Sequence, residues 1–443
     1  MSASASPTSS DTTSVGPPLP EGGAPPGRLR TTFRALQHRN FQLFFGGQII
    51  SLTGTWMQTM ALSWLVYDLT GSSLLLGAVA FSSQFPIFIF APVGGMLADR
   101  LDRRRVVIAT QTASMILAFV MAALTLTHHI HARHIVVLSI LLGIVNAFDL
   151  PARQSFLVDM VGREDLINAI ALNSSMFNGA RFIGPAVAAI AIEKIGEGGC
   201  FLANAVSYIA VIIGLLLMKV HCPRRSGNVS PMESLKEGFR FVRRTTPIRA
   251  LLLLLGLVSL VSMPYTVLMP IFAAKILHGG PRALGTLMGA SGVGAMFGAL
   301  TLASRTGVRG LGRWIAIAAG GLGMFLIAFS LSQTLWLSAL LLLPVGYCMM
   351  LQMSSSNTLI QSMTPDALRG RVMAVYSMMF MGMAPFGAFF GGAIAHRLGA
   401  PITVAIGGAA SIVGAVVFAR YLPMIRVEAR ELIGAQEALR DNP

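Results

Sequence analysis

Residues 72–127 read SSLLLGAVAFSSQFPIFIFAPVGGMLADRLDRRRVVIATQTASMILAFVMAALTLT. Two apolar runs, 72–98 and 105–127, flank a short gap that holds three arginines, with a fourth, Arg105, opening the second run. Each run exceeds the roughly 20 residues an α-helix needs to cross ~30 Å of hydrocarbon. Two such runs joined by a basic turn predict a helical hairpin in a bilayer, with the turn on the cytoplasmic side.

The same unit recurs along the 443 residues. Ten further runs lie at 41–67, 134–157, 166–192, 198–219, 249–273, 282–304, 311–332, 335–359, 369–396 and 400–421, which makes twelve. No ten-residue segments of alternating hydrophobicity occur, so a β-barrel is excluded. Composition agrees: 54% of residues are hydrophobic, 12% are charged and the mean hydropathy is +0.69, whereas soluble domains carry about a quarter charged residues. The net charge of +15 is no sign of nucleic-acid binding, because its placement follows topology. With the N-terminus inside, 27 of the 33 Lys and Arg fall in cytoplasmic segments, 5 fall in outer loops, and Arg181 lies within a span. This bias predicts a multi-pass protein of the cytoplasmic (inner) membrane with both termini cytoplasmic. The Ser/Pro/Gly-rich first 27 residues lack the pattern of a cleaved signal peptide, so the first span is expected to insert as an uncleaved anchor. Cys200, Cys222 and Cys348 have neither disulfide-framework nor zinc-site spacing.

The longest internal loop carries HCPRRSGNVSPMESLKEGFRFVRRTTP and divides the spans six and six. The expected organisation is an N-tail over 1–33, a six-helix bundle over 34–219, a cytoplasmic loop over 220–248, a second bundle over 249–421 and a C-tail over 422–443. The halves echo each other at an offset of about 200–203 residues. Asp165-Leu166-Ile167-Asn168-Ala169 parallels the segment from Asp366 to Ala374, Gly184-Pro185 parallels Ala384-Pro385, and Lys194-Ile195-Gly196 parallels Arg397-Leu398-Gly399. A parallel six-helix repeat is the plan of transporters that rock two bundles about a midplane site. The fold class is therefore all-α membrane protein, with twelve transmembrane helices in two pseudo-symmetric six-helix bundles.

Gly95-Met96-Leu97-Ala98-Asp99-Arg100-Leu101-Asp102-Arg103-Arg104 resembles the cytoplasmic motif of the major facilitator superfamily. Ala180-Arg181-Phe182-Ile183-Gly184-Pro185-Ala186-Val187-Ala188-Ala189 resembles the helix-5 Gly-Pro motif of its drug/proton antiporters, with Ala188 and Ala189 in place of a glycine pair. Thr55-Trp56-Met57-Gln58, Trp64 to Thr70 and Asp149-Leu150-Pro151-Ala152-Arg153-Gln154 are similar to the branch containing the enterobactin exporter and macrolide efflux proteins. The likeness covers residues 34–421, and the second-half copy of the cytoplasmic motif keeps bases but no acid, at Ser304-Arg305 and Arg309 to Arg313. The resemblance implies that Gly95, Asp99, Arg100, Arg103 and Arg104 form a gate. In it Asp99 latches the N-terminus of the eleventh span, capped by Thr364-Pro365-Asp366, and Arg103 pairs with an acid on the fourth span, with Asp149 the natural candidate.

Arg181 lies 15 residues into its span, where an unpaired charge costs at least ~2.5 kcal/mol. It shares a helical face with Ser174, Asn178, Gly184 and Pro185. It either binds an anionic substrate group, modulates a nearby carboxyl or ties two helices. Gln48, Ser51, Thr55 and Gln58 form a second polar stripe, which either lines a cavity or glues helices. Asp149 and Arg153 stand at i,i+4 in the favourable ion-pair order, as a gating tie or a proton site. Asp68 and Glu193 fall near outer span ends. Tyr265, Gln352 and Asn357 are the second-half cavity candidates. Of the 25 methionines, those on the tenth and eleventh spans either pack or line an adaptable cavity with Phe386 and Phe389. His128, His129, His131 and His134 lack an accompanying carboxylate or thiol and read as a solvated loop, so no metal and no cofactor is expected.

No metalloprotease HExxH and no phosphate-binding loop is present, so the chain is not expected to be an enzyme. The expected function is secondary efflux of an amphipathic small molecule, a siderophore or drug, against inward protons by a monomer. The export direction is implied by the resemblance alone. A uniporter or symporter is the alternative, with a channel or sensor behind it.

Overall fold

The computed structural model describes residues 34–162, 164–220, 231–305 and 307–441. All its regular elements are helices. The spans are α1 (Arg39–Thr70), α2 (Ser73–Arg100), α3 (Arg103–Leu126), α4 (Ala132–Val161), α5 (166–195) and α6 (197–217). They continue with α7 (Thr246–Ile276), α8 (Pro281–Ala303), α9 (Leu311–Ser330), α10 (Leu335–Met363), α11 (Asp366–Leu398) and α12 (Ala400–Asp441). Ten helical stretches are long and apolar enough to cross a membrane. One of them, Leu166–Leu217, reverses at Gly196 and so contributes both α5 and α6. The twelfth crossing is α1, 32 residues long, whose glutamines and threonines dilute its apolar character.

Local chemistry sets the ends. Asp102 caps α3 by accepting from the backbone N–H groups of Arg104 and Arg105, and Ser72 caps α2 by accepting from Leu75 N–H. At the start of α11 the cap position is Pro365, not Thr364, whose hydroxyl donates back to the Ile360 carbonyl at 2.7 Å and so closes α10. The expected C-tail is a continuation of α12, a helix of 42 residues. Of the loop expected over 220–248, residues 221–230 lie outside the described residues. A linker helix, Pro231–Arg244, follows and packs on α11, where Glu237 pairs with Arg371 at 2.6 Å.

The repeat is visible in the packing. In the first half α1 packs on α5 and α6, α2 on α4, and α3 on both α4 and α6. In the second, α7 packs on α11 and α12, α8 on α10, and α9 on both α10 and α12. Glycines permit the tight crossings: a Cβ on Gly143 of α4 would lie 2.5 Å from the Ser83 carbonyl, and one on Gly346 of α10 would lie 1.9 Å from that of Ser291. The halves meet through α2 with α11 and α5 with α8.

Gly196 (φ 70°, ψ 175°) occupies a backbone region essentially closed to side-chain-bearing residues. Gly196→Ala should therefore lower stability by about 1–3 kcal/mol, read as a fall in the melting temperature of the purified protein. An unchanged melting temperature would mean that the turn adjusts without strain.

Candidate functional site

The ends of the bundles differ. At the end bearing α1's start and the linker, called here the basic end, a glycine on each of α2 and α8 meets nothing across the gap between halves. At the opposite end it is closed by two related contacts. A Cβ on Gly77 of α2 would lie 2.4 Å from the Ala388 carbonyl of α11, and one on Gly285 of α8 would lie 2.5 Å from the Ala189 Cβ and 3.0 Å from the Pro185 carbonyl of α5. Arg282 and Glu193 pair across the same end at 2.5 Å. Towards the basic end, a Cβ on Gly289, one turn along α8, or on Gly95 of α2 would meet nothing within 4 Å.

The cleft this leaves has one wall on α5. Pro185 and Ala189 face α8 where the halves touch. Ser174, Asn178 and Arg181 continue that face towards the basic end, and Ser174 and Asn178 are exposed while Arg181 is half-buried. Arg181 forms no ion pair among the described residues; its guanidinium lies 5.8 Å from the Trp56 ring centroid. Trp56 in turn packs edge-on against Phe177 at 5.8 Å. Gly184 is required here, because a Cβ would lie 2.3 Å from that of Trp56. Thr55 is exposed one position away, its hydroxyl donating to the Ser51 carbonyl. The α2–α11 seam is aromatic: Phe81, Phe85 and Phe88 stack along α2, and Phe386 of α11 sets its ring edge-on to all three at 5.8–6.4 Å. Phe389 also touches Phe81 at 5.7 Å.

Beside the cleft, the first bundle holds a charged cluster. Asp149 is buried on α4 and accepts from Thr110 (2.7 Å) and Gln111 (3.0 Å) of α3. Arg153, one turn on, pairs with Asp149 at 2.6 Å and donates to Gln48 Oε1 of α1 at 3.1 Å. The Arg153 side chain is 23% exposed and that of Asp149 only 2%, so the base stands between the acid and the open space.

Arg103 does not pair with Asp149. Its Nη1 donates to both oxygens of Asp159, at 2.9 and 3.2 Å, and both side chains are almost fully buried. The reason is depth: Arg103 opens α3 at the basic end, and Asp149 lies ten residues, ~15 Å, before Asp159 along α4. Arg104 donates from Nε and Nη2 to the Leu215 and Leu216 carbonyls, at 2.8 Å each, closing the end of α6. Arg100 is exposed, and the side chain of Asp99 lies outside the described residues.

Several other polar candidates are buried or engaged by neighbouring side chains. Gln58 accepts from Asn204 of α6 at 2.6 Å, a buried interhelical tie. Tyr265, fully packed, bonds Ser291 of α8 at 2.8 Å. Gln352 is buried one turn from Ser355 and Ser356, and Asn357 accepts from Gln361 at 2.6 Å. The His129 and His131 rings engage the carbonyls of Thr127 and His129. Asp159, Asn204 and the α2 aromatics were not anticipated, although Phe81, Phe85 and Phe88 carry the four-then-three spacing of one helical face.

Comparison with known proteins decides the family: the profile of the transmembrane secretion effectors (MFS_3) matches residues 30–440. The chain belongs to that family. The chain is 24% identical over 381 residues to the staphyloferrin A transporter of Staphylococcus aureus (strain NCTC 8325 / PS 47), covering 85% of this chain and 94% of that protein. It is also 24% identical to the enterobactin exporter EntS of Shigella boydii serotype 4 (strain Sb227), over 89% and 93% of the two chains. The crystal structure of a bacterial homologue of the iron transporter ferroportin in an inward-facing state superposes with a TM-score of 0.67 at 17% identity, covering 86% of this chain and 98% of that one. The chain is thus a membrane-embedded transporter of the major facilitator type acting on small molecules, not an enzyme.

Proposed function

We propose that the protein exports an amphipathic small molecule by alternating access in exchange for protons. One observation supports this: a cleft closed at the far end presents a half-buried arginine, Arg181, without a carboxylate partner among the described residues. The Lys/Arg bias supports a cytoplasmic basic end, so the cleft would load from inside. Arg181 favours an anionic group, while Trp56, Phe177 and the Phe81–Phe386 cluster offer faces for an aromatic or apolar body. The relatives' names fit a siderophore of that character. A lipophilic cation would meet a like charge, which makes drug efflux the weaker variant.

Proton exchange is built from the second cluster. Arg153 neutralises buried Asp149 while reaching towards open space. Asp149 is the buried carboxylate of this cluster and the group we assign to carry the proton, with Arg153 as its counter-charge whenever the proton has left. Exchange then requires alternation: Asp149 protonated while the cleft is empty, and Arg153 paired with Asp149 while the cleft is loaded on Arg181.

The test is transport by protein reconstituted in liposomes under a pH gradient, with lumenal pH followed while iron-free siderophores and lipophilic cations are offered. Siderophore-dependent proton flux is expected. Arg181→Ala should weaken apparent siderophore affinity at least tenfold, about 1.4 kcal/mol, and leave any cation transport unchanged. Equal siderophore affinity in the variant removes Arg181 from the substrate path, and movement without proton flux removes the antiport.

A further inference from the structure

Outside the cleft, a crevice of about 460 Å³ runs between α7 and α12 at the basic end, lined among others by Arg249, Leu253, Leu257, Val417, Tyr421 and Met424. It shares no residue with the cleft walls. Leu253, Tyr421 and Met424 are each more than half exposed, so in a chain of this family the trench faces hydrocarbon. Its depth is set by Gly414: a Cβ there would lie 2.5 Å from Leu257 Cδ2. From Arg249 to Leu257 the trench descends eight residues, ~12 Å along α7.

Its mouth is cationic. Arg249 is exposed, donates to the Arg243 carbonyl at 3.2 Å and makes no ion pair among the described residues. Arg243 and Arg244, in the last turn of the linker helix, stand exposed beside it. The acid at the mouth, Glu428, is engaged by the Thr246 backbone N–H at 3.2 Å. A greasy trench running down into the bilayer from an uncompensated guanidinium matches a lipid with a negative phosphate head and an acyl chain. We propose that the α7–α12 crevice is a binding site for an anionic phospholipid, its phosphate on Arg249 and one chain along Leu253, Leu257 and Val417. Bound there, the lipid spans the junction of the linker helix with α7 and ties that helix to the second bundle.

The experiment uses the full chain, delipidated in detergent and returned to nanodiscs of phosphatidylglycerol or phosphatidylcholine. Bound lipid is counted by native mass spectrometry and stability by melting temperature. Wild-type protein is expected to retain phosphatidylglycerol and to melt several degrees higher in it than in phosphatidylcholine. Arg249→Gln should reduce retained phosphatidylglycerol at least fivefold. Leu253→Trp, which fills the trench from its exposed side without touching the core, should do the same with every charge in place. Arg426→Gln removes an equal charge from a residue of α12 that does not line the crevice and should retain the lipid. If Arg426→Gln lost as much lipid as Arg249→Gln, the attraction would be diffuse and the site would not exist. Retention by Leu253→Trp would show that no chain lies in the trench.

Discussion

Arg153→Ala should destabilise the protein by about 3–5 kcal/mol, the usual result of breaking a buried ion pair from one side. Asp149 keeps Thr110 and Gln111 as donors but loses its only ion-pair partner among the described residues, at a position 2% exposed. Gln48 loses the donor to its Oε1 in the same stroke. The double substitution Asp149→Leu with Arg153→Leu should recover most of the loss, since replacing both members of a buried pair by apolar groups is often neutral. Thermal melts of the three proteins in one detergent decide the matter. If the single variant melted with the wild type, the pair would be a surface-like contact and could not serve as the proton site.

The other large effect is conformational. Gly77→Leu and Gly285→Leu each place side-chain atoms where backbone of the other half already stands, the Ala388 carbonyl at 2.4 Å and the Pro185 carbonyl at 3.0 Å. Backbone in a packed helix cannot step aside as a flexible side chain does, and overpacking of this kind costs about 1–3 kcal/mol. That shifts the closed-to-open ratio of the opposite end by roughly 5- to 150-fold. Spin labels on the exposed Leu69 and Leu398, read by pulsed distance measurements, should show a longer-distance population in both variants. Transport should fall by a similar factor while insertion in the membrane is retained. Unchanged distances would mean that these crossings are not what holds the end shut.

The helical fold was legible because a bilayer leaves the chain few choices. Every span must be long, apolar and helical, so the runs beginning at Phe41 or Ala400 announce themselves. Gly184-Pro185 was legible as a motif, and the Trp56 contact supplies the physical reason for its glycine. What stayed hidden was lateral: which helices are neighbours, and at what depth. Asp149 is the natural partner for Arg103 in the sequence, and only setting α3 and α4 side by side brings Asp159 to it instead. Gln58 belonged to a stripe whose reading depended on whether α6 placed Asn204 opposite it, and no spacing within α1 encodes that. Phe386 and Phe389 were noticed as cavity candidates, but their partners lie some 300 residues earlier in the chain.

One feature of the first half bears on how the protein is made. With Gly196 alone between them, α5 and α6 have no intervening chain that could rest in solvent. α6 follows α5 directly, its N-terminus leading, so the turn at Gly196 crosses the bilayer only once both flanking legs have been supplied. Residues 166–217 are therefore expected to enter the bilayer as a helical hairpin. The ribosome has to release all 52 residues before the first bundle can be completed.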